Sequence, residues 1–193
     1  METTPRFMKL LIYLIGIHDP YGVNHSERVT ILAMNLARRS GWKDGSQEMT
    51  DLELAGLLHD IGKIGIPESI RRMAGRYTLP ERTVMQQHVV IGVEFLDKVP
   101  NGGLSTAMRL IVKHHHEDWS GQGYPDGLAG EAIPWGARIL RICDMFDALT
   151  HERGYQPALS KSAALQVMID QQIKQAWADP ELLRVFIGMS KES

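Results

Sequence analysis

Seven side chains of the kinds that bind metal ions recur along this chain: His25, His59, Asp60, His88, His115, His116 and Asp144. Each sits on, or at the end of, an apolar stretch with helical spacing. Taken singly, each is an ordinary core residue held by a neighbour. Together they are the ligand set of a cation site, because helical cores with convergent imidazoles and carboxylates are how dinuclear centres are built. A mixed imidazole and carboxylate set suits Fe or Mn, admits Zn, and suits Mg or Ca less well. The sharpest pair is His59-Asp60, at the end of the apolar run Leu57-Leu58 and followed by Ile61-Gly62-Lys63-Ile64-Gly65. A carboxylate buried there is costly unless a positive charge compensates it. One His and one Asp cannot fill a coordination shell, so the partners must come from other parts of the chain.

The elements that must position these groups follow from capping signals and periodicity. Thr50-x-x-Glu53 is a capping-box pattern that predicts a helix over 51–61, with Leu54, Leu57, Leu58 and Ile61 on its buried face. Asp19-Pro20 opens an earlier helix that runs to about Ser40, before Gly41. His25, Val29, Leu32 and Leu36 share one face of it, and Arg28, on the same turn as His25, is placed to orient a nearby carboxylate. Thr78-x-x-Glu81 with Pro80 repeats the capping pattern and predicts a helix carrying His88, Gly92, Phe95 and Val99, closed by Pro100-Asn101-Gly102-Gly103. Ser105 caps a helix that runs through Ile111 and Val112 into His114-His115-His116. Pro134 opens a helix from Trp135 to about Thr150, with Asp144 and Asp147 one turn apart and Asp144 on the inward face of Ala137 and Leu140. Ser160 caps a further helix to about Ala176, with Met168, Ile169 and Ile173 as its core stripe, and Asp179-Pro180 caps a last short one. Residues 119–127, rich in Gly, Trp and Tyr and without periodicity, form a binding loop. Strand signals are scarce, so the fold class is all-α: one helical domain with its ligand cluster in the core.

Composition narrows the function. A chain of 193 residues fills one core well and two poorly. The net charge of −2 gives no field for nucleic acid or anionic membranes, so an anionic substrate must be attracted locally. The single cysteine, Cys143, excludes an internal disulfide and fits a reducing compartment. Residues 7–17 (FMKLLIYLIGI) are far short of the ~20 needed to cross a bilayer and contain Lys9. No small-residue cleavage site follows, so they read as an amphipathic or core helix and the expected location is cytoplasmic.

The ordered set of motifs closely resembles the HD-GYP family, a branch of the HD superfamily of metal-dependent phosphohydrolases. The matching pieces are Asp19-Pro20-Tyr21, His25-Ser26-x-Arg28-Val29, Leu57 through Pro67, and His88. They continue with His115-His116-Glu117, Gly123-Tyr124-Pro125, Ala137-Arg138-Ile139, Asp144-x-Phe146-Asp147-Ala148-Leu149-Thr150 and Arg153-x-Tyr155. The match runs from about Asp19 to Phe186, which divides the chain into a lead-in over 1–18 and an HD-type domain over 19–193.

What the resemblance implies is a phosphodiesterase that opens the bacterial second messenger cyclic di-GMP. The metal ligands carry over to His25, His59, Asp60, His88, His115, His116 and Asp144, with Asp60 bridging two divalent ions, Fe or Mn. Lys63 would contact the scissile phosphate, making Asp60 and Lys63 the catalytic pair. Gly123, Tyr124, Pro125, Asp147, Arg153 and Tyr155 would contact the substrate. A metal-activated hydroxide would attack phosphorus and expel a ribose 3′-oxygen, giving linear pGpG and, on a second cut, GMP. The expected partner is cyclic di-GMP, with a regulatory or diguanylate-cyclase protein as a further one. The chain departs from the family pattern at Ser120, Gln122 and Gln156, the last replacing a cation expected to help hold the second phosphate. Tyr21 replaces a carboxylate that in some members holds a third metal, so a dinuclear site is expected here. His114 is an extra histidine. The rivals are a catalytically weak cyclic-dinucleotide receptor and an HD-superfamily nucleotidase, the latter having no need of the Gly123-Tyr124-Pro125 loop.

Overall fold

The computed structural model of the chain describes residues 20–73, 75–99, 104–152 and 157–191. The α-helices are α1 (Pro20–Arg39), α2 (Gln47–Leu58), α3 (Glu68–Arg71), α4 (Leu79–Gln86), α5 (His88–Asp97), α6 (Thr106–His114), α7 (Trp135–Thr150), α8 (Lys161–Gln175) and α9 (Pro180–Lys191). Short 3-10 turns follow α2 (Ile61–Gly65) and precede α7 (Gly130–Ala132). Among the described residues there is no strand, only an isolated antiparallel bridge between Ser120 and Ala129. The all-α expectation holds.

Helix α2 is the centre of the bundle. It packs against α1, α6 and α7, and is buried on almost every side from Asp51 to its end. Helix α5 lies against the 3-10 turn and α6, while α7 packs on α1, α6 and α8, and α9 closes the far side against α1 and α7. Leu36, Leu52, Leu58, Met108, Leu140 and Phe186 are among the side chains withdrawn from solvent at these crossings. Burying a side chain of this kind contributes about 1.5–3 kcal/mol, so the frame that carries the polar cluster is held by apolar contact. No helix among the described residues is long and apolar enough to cross a membrane.

Helix ends largely follow the capping signals. Thr78 and Glu81 form the reciprocal capping box, with the Thr78 N–H donating to Glu81 Oε2 at 2.8 Å. The hydroxyls of Ser105 and Ser160 accept from Met108 N and Ala163 N, and Asp179 Oδ1 accepts from Glu181 N and Leu182 N. Beyond Arg39, α1 is closed at Gly41 by a Schellman arrangement, with Trp42 N donating to Ala37 O and Gly41 N to Arg38 O.

Four expectations are corrected. Helix α2 starts at Gln47, because Ser46 upstream of Thr50 caps it through the Met49 N–H; Thr50 lies inside the first turn with its hydroxyl on Ser46 O. The helix carrying His88 is two helices. At Gln87 the ladder tightens to a bond from Gln87 N to Val84 O, which rotates the buried face to His88, Val89, Gly92 and Leu96 and leaves Phe95 42% exposed. Ile173 is 80% exposed, because Trp177 fills the core beyond Met168 and donates its indole N–H to Met168 O. The last helix is also not short: α9 has 12 residues. Residues 7–17, Asp19 and residues 100–103 lie outside the described residues, as does the side chain of Tyr21 in the first turn of α1.

Candidate metal centre and substrate site

Three close approaches bring the candidate ligands together. The C-terminal turn of α2 presents His59 and Asp60, and the 3-10 turn after it lies directly on the start of α5. A Cβ at Gly62 would stand 1.9 Å from His88 O, so only glycine lets the His59-Asp60 turn sit against the residue that supplies the next imidazole. Helix α6 ends at His114, delivering His115 and His116 from the other side. Helices α1 and α7 bring His25 and Asp144.

Asp60 sits at the junction. It is 6% exposed, with Oδ1 3.5 Å from His88 Nε2 and Oδ2 3.4 Å from His59 Nε2 and 3.8 Å from His25 Nε2. Two groups therefore share it. In one, ligand atoms of Asp60, His88, His115 and His116 lie within 4.8 Å of one another; in the other, those of His25, His59 and Asp60 do. Asp144 joins the second group through Oδ1, 3.1 Å from His25 Nε2. Lys63 Nζ donates to Asp60 Oδ2 at 2.5 Å and stays partly open to solvent.

The imidazoles are oriented with a lone pair inward. Nδ1–H of His59 donates to Gly56 O at 2.8 Å, that of His88 to Met85 O at 2.8 Å, and that of His115 to Val112 O at 2.7 Å. A ring that donates from Nδ1 to a carbonyl carries its free lone pair on Nε2 when neutral. The inward atoms His59 Nε2, Asp60 Oδ1, His88 Nε2 and His115 Nε2 are buried and have no hydrogen-bond partner, while His25 Nε2 faces Asp144 Oδ1. Four orphaned acceptor-type atoms converging on one point are expensive in a folded core. Divalent cations satisfy them all, so the residues present fit two such ions.

The charges agree with this. Burial pushes the imidazoles of His115 and His116 well below the usual histidine range, and burial also lowers His88 against the pull of Asp60. These three are neutral, the form that binds metal. Burial alone would raise the Asp60 and Asp144 carboxyls. Lys63 and His59 outweigh it at Asp60, and the hydrogen bond and charge of His25 outweigh it at Asp144, holding both well below the carboxylate range. His25 differs: burial opposes protonation, but Asp144 and Asp147 raise its pKa to about 9. Metal binding on that side is coupled to loss of its proton.

The glycine-rich loop flanks the three-histidine side. The Tyr124 ring stacks on His116 at 4.8 Å between centroids and meets His88 edge-on at 6.4 Å. Burial raises the Tyr124 phenol, so it remains a hydrogen-bond donor at neutral pH. A Cβ at Gly123 would lie 2.2 Å from Asp118 N, so the loop can fold back on its own start only with glycine there. Buried Glu117 fastens the turn by accepting from Asp126 N at 2.8 Å, and the Asp126 carboxylate meets Lys113 at 2.6 Å and His114 at 3.0 Å. The extra histidine, His114, thus faces the loop and not the ligand cluster.

The structure gathers His25, His59, Asp60, His88, His115, His116 and Asp144 at one centre, with Lys63 and Tyr124 beside it. Pro125 and Gly123 lie in the adjoining loop. Asp147, expected to face substrate, is 1% exposed behind His25, and its carboxylate is bonded to His25 and Arg28. The sequence marked it only as the carboxylate one turn beyond Asp144. Nothing in the sequence marked Glu117 or Lys113 as loop anchors. Arg153, Tyr155 and Gln156 lie outside the described residues.

Comparison with known proteins places this geometry. Residues 9–182 match the family model of the HD domain. The chain is 41% identical over 170 residues to the cyclic di-GMP phosphodiesterase response regulator RpfG of Xanthomonas campestris pv. campestris, covering 88% of this chain and 43% of that protein. It is 39% identical over 132 residues to the 3′3′-cGAMP-specific phosphodiesterase 2 of Vibrio cholerae, covering 68% of this chain and 25% of that protein. The chain thus spans less than half the length of these curated relatives. The crystal structure of the HD domain of L. monocytogenes phosphodiesterase PgpH, in complex with cyclic-di-AMP, superposes with a TM-score of 0.65 at 17% identity, over 93% of this chain and 92% of that one. The fold, the order of the motifs and the converging histidines and aspartates lead to one assignment: the chain belongs to the HD domain family.

Proposed function

We propose that this chain is a metal-dependent phosphodiesterase that hydrolyses a cyclic dinucleotide, cyclic di-GMP first, to the linear dinucleotide pGpG. What carries the proposal is the convergence of four buried, partnerless ligand atoms at Asp60, with Lys63 at its edge. The relatives support the substrate class, and they include enzymes named for cyclic di-GMP and for 3′3′-cGAMP.

In this reading His25, His59, Asp60 and Asp144 hold one divalent ion, and Asp60, His88, His115 and His116 the other, Fe or Mn by donor type. Such a pair supplies positive charge for the phosphodiester and makes water nucleophilic near neutral pH. The chain's own groups do the rest. Lys63 offers an N–H to a phosphate oxygen that gains charge during displacement, where a fixed cation contributes most. The protonated Tyr124 hydroxyl, carried by a ring stacked on His116, offers a second donor beside the same centre. The apolar frame around α2 keeps the ligands from moving when the substrate's charge arrives. Gly123, Pro125, Arg153 and Tyr155 complete the substrate contacts by resemblance, with Arg153 on the second phosphate. Asp147 takes a different part here: it holds His25.

The test is incubation of Mn(II)- or Fe(II)-loaded protein with cyclic di-GMP and, in parallel, 3′3′-cGAMP, followed by chromatography of the products. Linear pGpG appearing only with metal supports the proposal. Faster opening of 3′3′-cGAMP would reassign the substrate within the class. Both dinucleotides bound but left intact would make the chain a receptor.

A further inference from the structure

Three histidines of the centre are oriented by their own local backbone. His59, His88 and His115 each donate from Nδ1 to the carbonyl three residues earlier: Gly56, Met85 and Val112. That acceptor comes with the helical turn and no side chain can remove it. His25 is held differently. Its Nδ1 meets Asp147 Oδ2 at 2.6 Å, across 122 residues of sequence and from another helix. The same carboxylate receives Arg28 Nε on Oδ1 at 2.6 Å and Arg28 Nη2 on Oδ2 at 2.9 Å, while His151 Nδ1 stands 3.0 Å from Oδ1. Asp147 is 1% exposed and its contact with His25 is buried, while Arg28 reaches the carboxylate from the partly exposed side.

We propose that Asp147, clamped by Arg28, is the positioning residue that sets cation affinity in the His25 half of the centre without setting it in the three-histidine half. A carboxylate behind a ligating imidazole fixes the tautomer, aims the lone pair and raises ligand basicity; removing such a partner typically weakens metal binding 10- to 100-fold. Asp147 makes this contact to His25 alone among the histidines of the centre in the described residues. Arg28 acts one step further out. It fixes the carboxylate's orientation with two parallel bonds, so its loss acts on the same half and less strongly. The centre is therefore unequal by construction: His88 and His115 in one half and His59 in the other are preset by backbone, and His25 alone is adjustable through a side-chain chain of Arg28 and Asp147.

The inference rests on the two-ion reading of the proposed function, and the test separates the two. Metal-free protein is titrated with Mn(II), and free ion is followed by electron paramagnetic resonance. Wild type takes up two ions per chain. Asp147→Ala retains one step at wild-type affinity and weakens the other about 10- to 100-fold. Arg28→Ala weakens that same step less, and His88→Ala removes the opposite one. Two undisturbed steps in Asp147→Ala overturn the inference. So does equal weakening of both steps in a variant whose far-UV circular dichroism and thermal transition match wild type. If the alanine variant does not fold, Asp147→Asn carries the same test, since it keeps the volume and replaces one acceptor by a donor amid donors. No Mn(II) uptake by wild type defeats the two-ion reading itself.

Discussion

The two halves of the centre share Asp60 but differ in how one ligand, His25, is held. On the three-histidine side the ligands come from turns that touch one another, His88 and His115 are oriented by their own backbone, and burial keeps the rings neutral. On the other side His25 and Asp144 come from α1 and α7, and His25 is oriented by a carboxylate and holds a proton up to a pKa of about 9. The difference teaches that a ligand fixed by local backbone is as robust as its helix, whereas one fixed by a distant side chain depends on how two helices pack. The second kind is easier to adjust and easier to lose.

The largest expected effect comes from the residue that makes the halves one centre. Asp60→Ala removes the carboxylate that the two ligand groups share among the described residues, and kcat should fall on the order of 10³-fold, the scale of losing a pre-placed electrostatic group. Retained turnover with metal uptake in one half would show that the halves work separately. Lys63→Met comes next. The lysine belongs to neither half, so metal uptake should be unchanged while kcat falls about 100-fold; a change confined to metal uptake would make Lys63 a structural partner of Asp60. Gly62→Ala places a methyl group against a backbone carbonyl of His88 that has little room to yield. It should lower stability by about 2 kcal/mol in denaturant unfolding and weaken cation binding at the His88 side first. Equal weakening of both steps would erase the distinction between local and distant support. The smallest effect is Tyr124→Ala, which removes a ring stacked only on the three-histidine side. It should raise KM by a few fold, about 1 kcal/mol, and leave the His25-side metal step untouched.

The same contrast explains what was legible in the sequence. Capping boxes and serine caps at Thr78, Ser105 and Ser160 are short-range signals, and they placed helix starts and the turns that carry the histidines. The convergence of His25, His59, Asp60, His88, His115, His116 and Asp144 was legible because each lies at the inner end of an apolar stripe, where burial dictates direction. Arg28 was readable as a residue placed to orient a carboxylate, but which carboxylate was not, since that depends on how α1 packs on α7. Asp147, which the resemblance put at the substrate, is found behind His25. The break at Gln87, beyond which Phe95 faces outward, is absent from a helical wheel drawn through residues 79–99, because such a wheel assumes one unbroken helix.

The central claim is that one buried carboxylate joins two cation sites of unequal construction. Anomalous diffraction at the Mn or Fe edge from crystals of the metal-loaded protein tests it most directly. Two peaks are expected on either side of Asp60, one among His25, His59 and Asp144 and the other among His88, His115 and His116. A single peak, or two of which only one contacts Asp60, would contradict it.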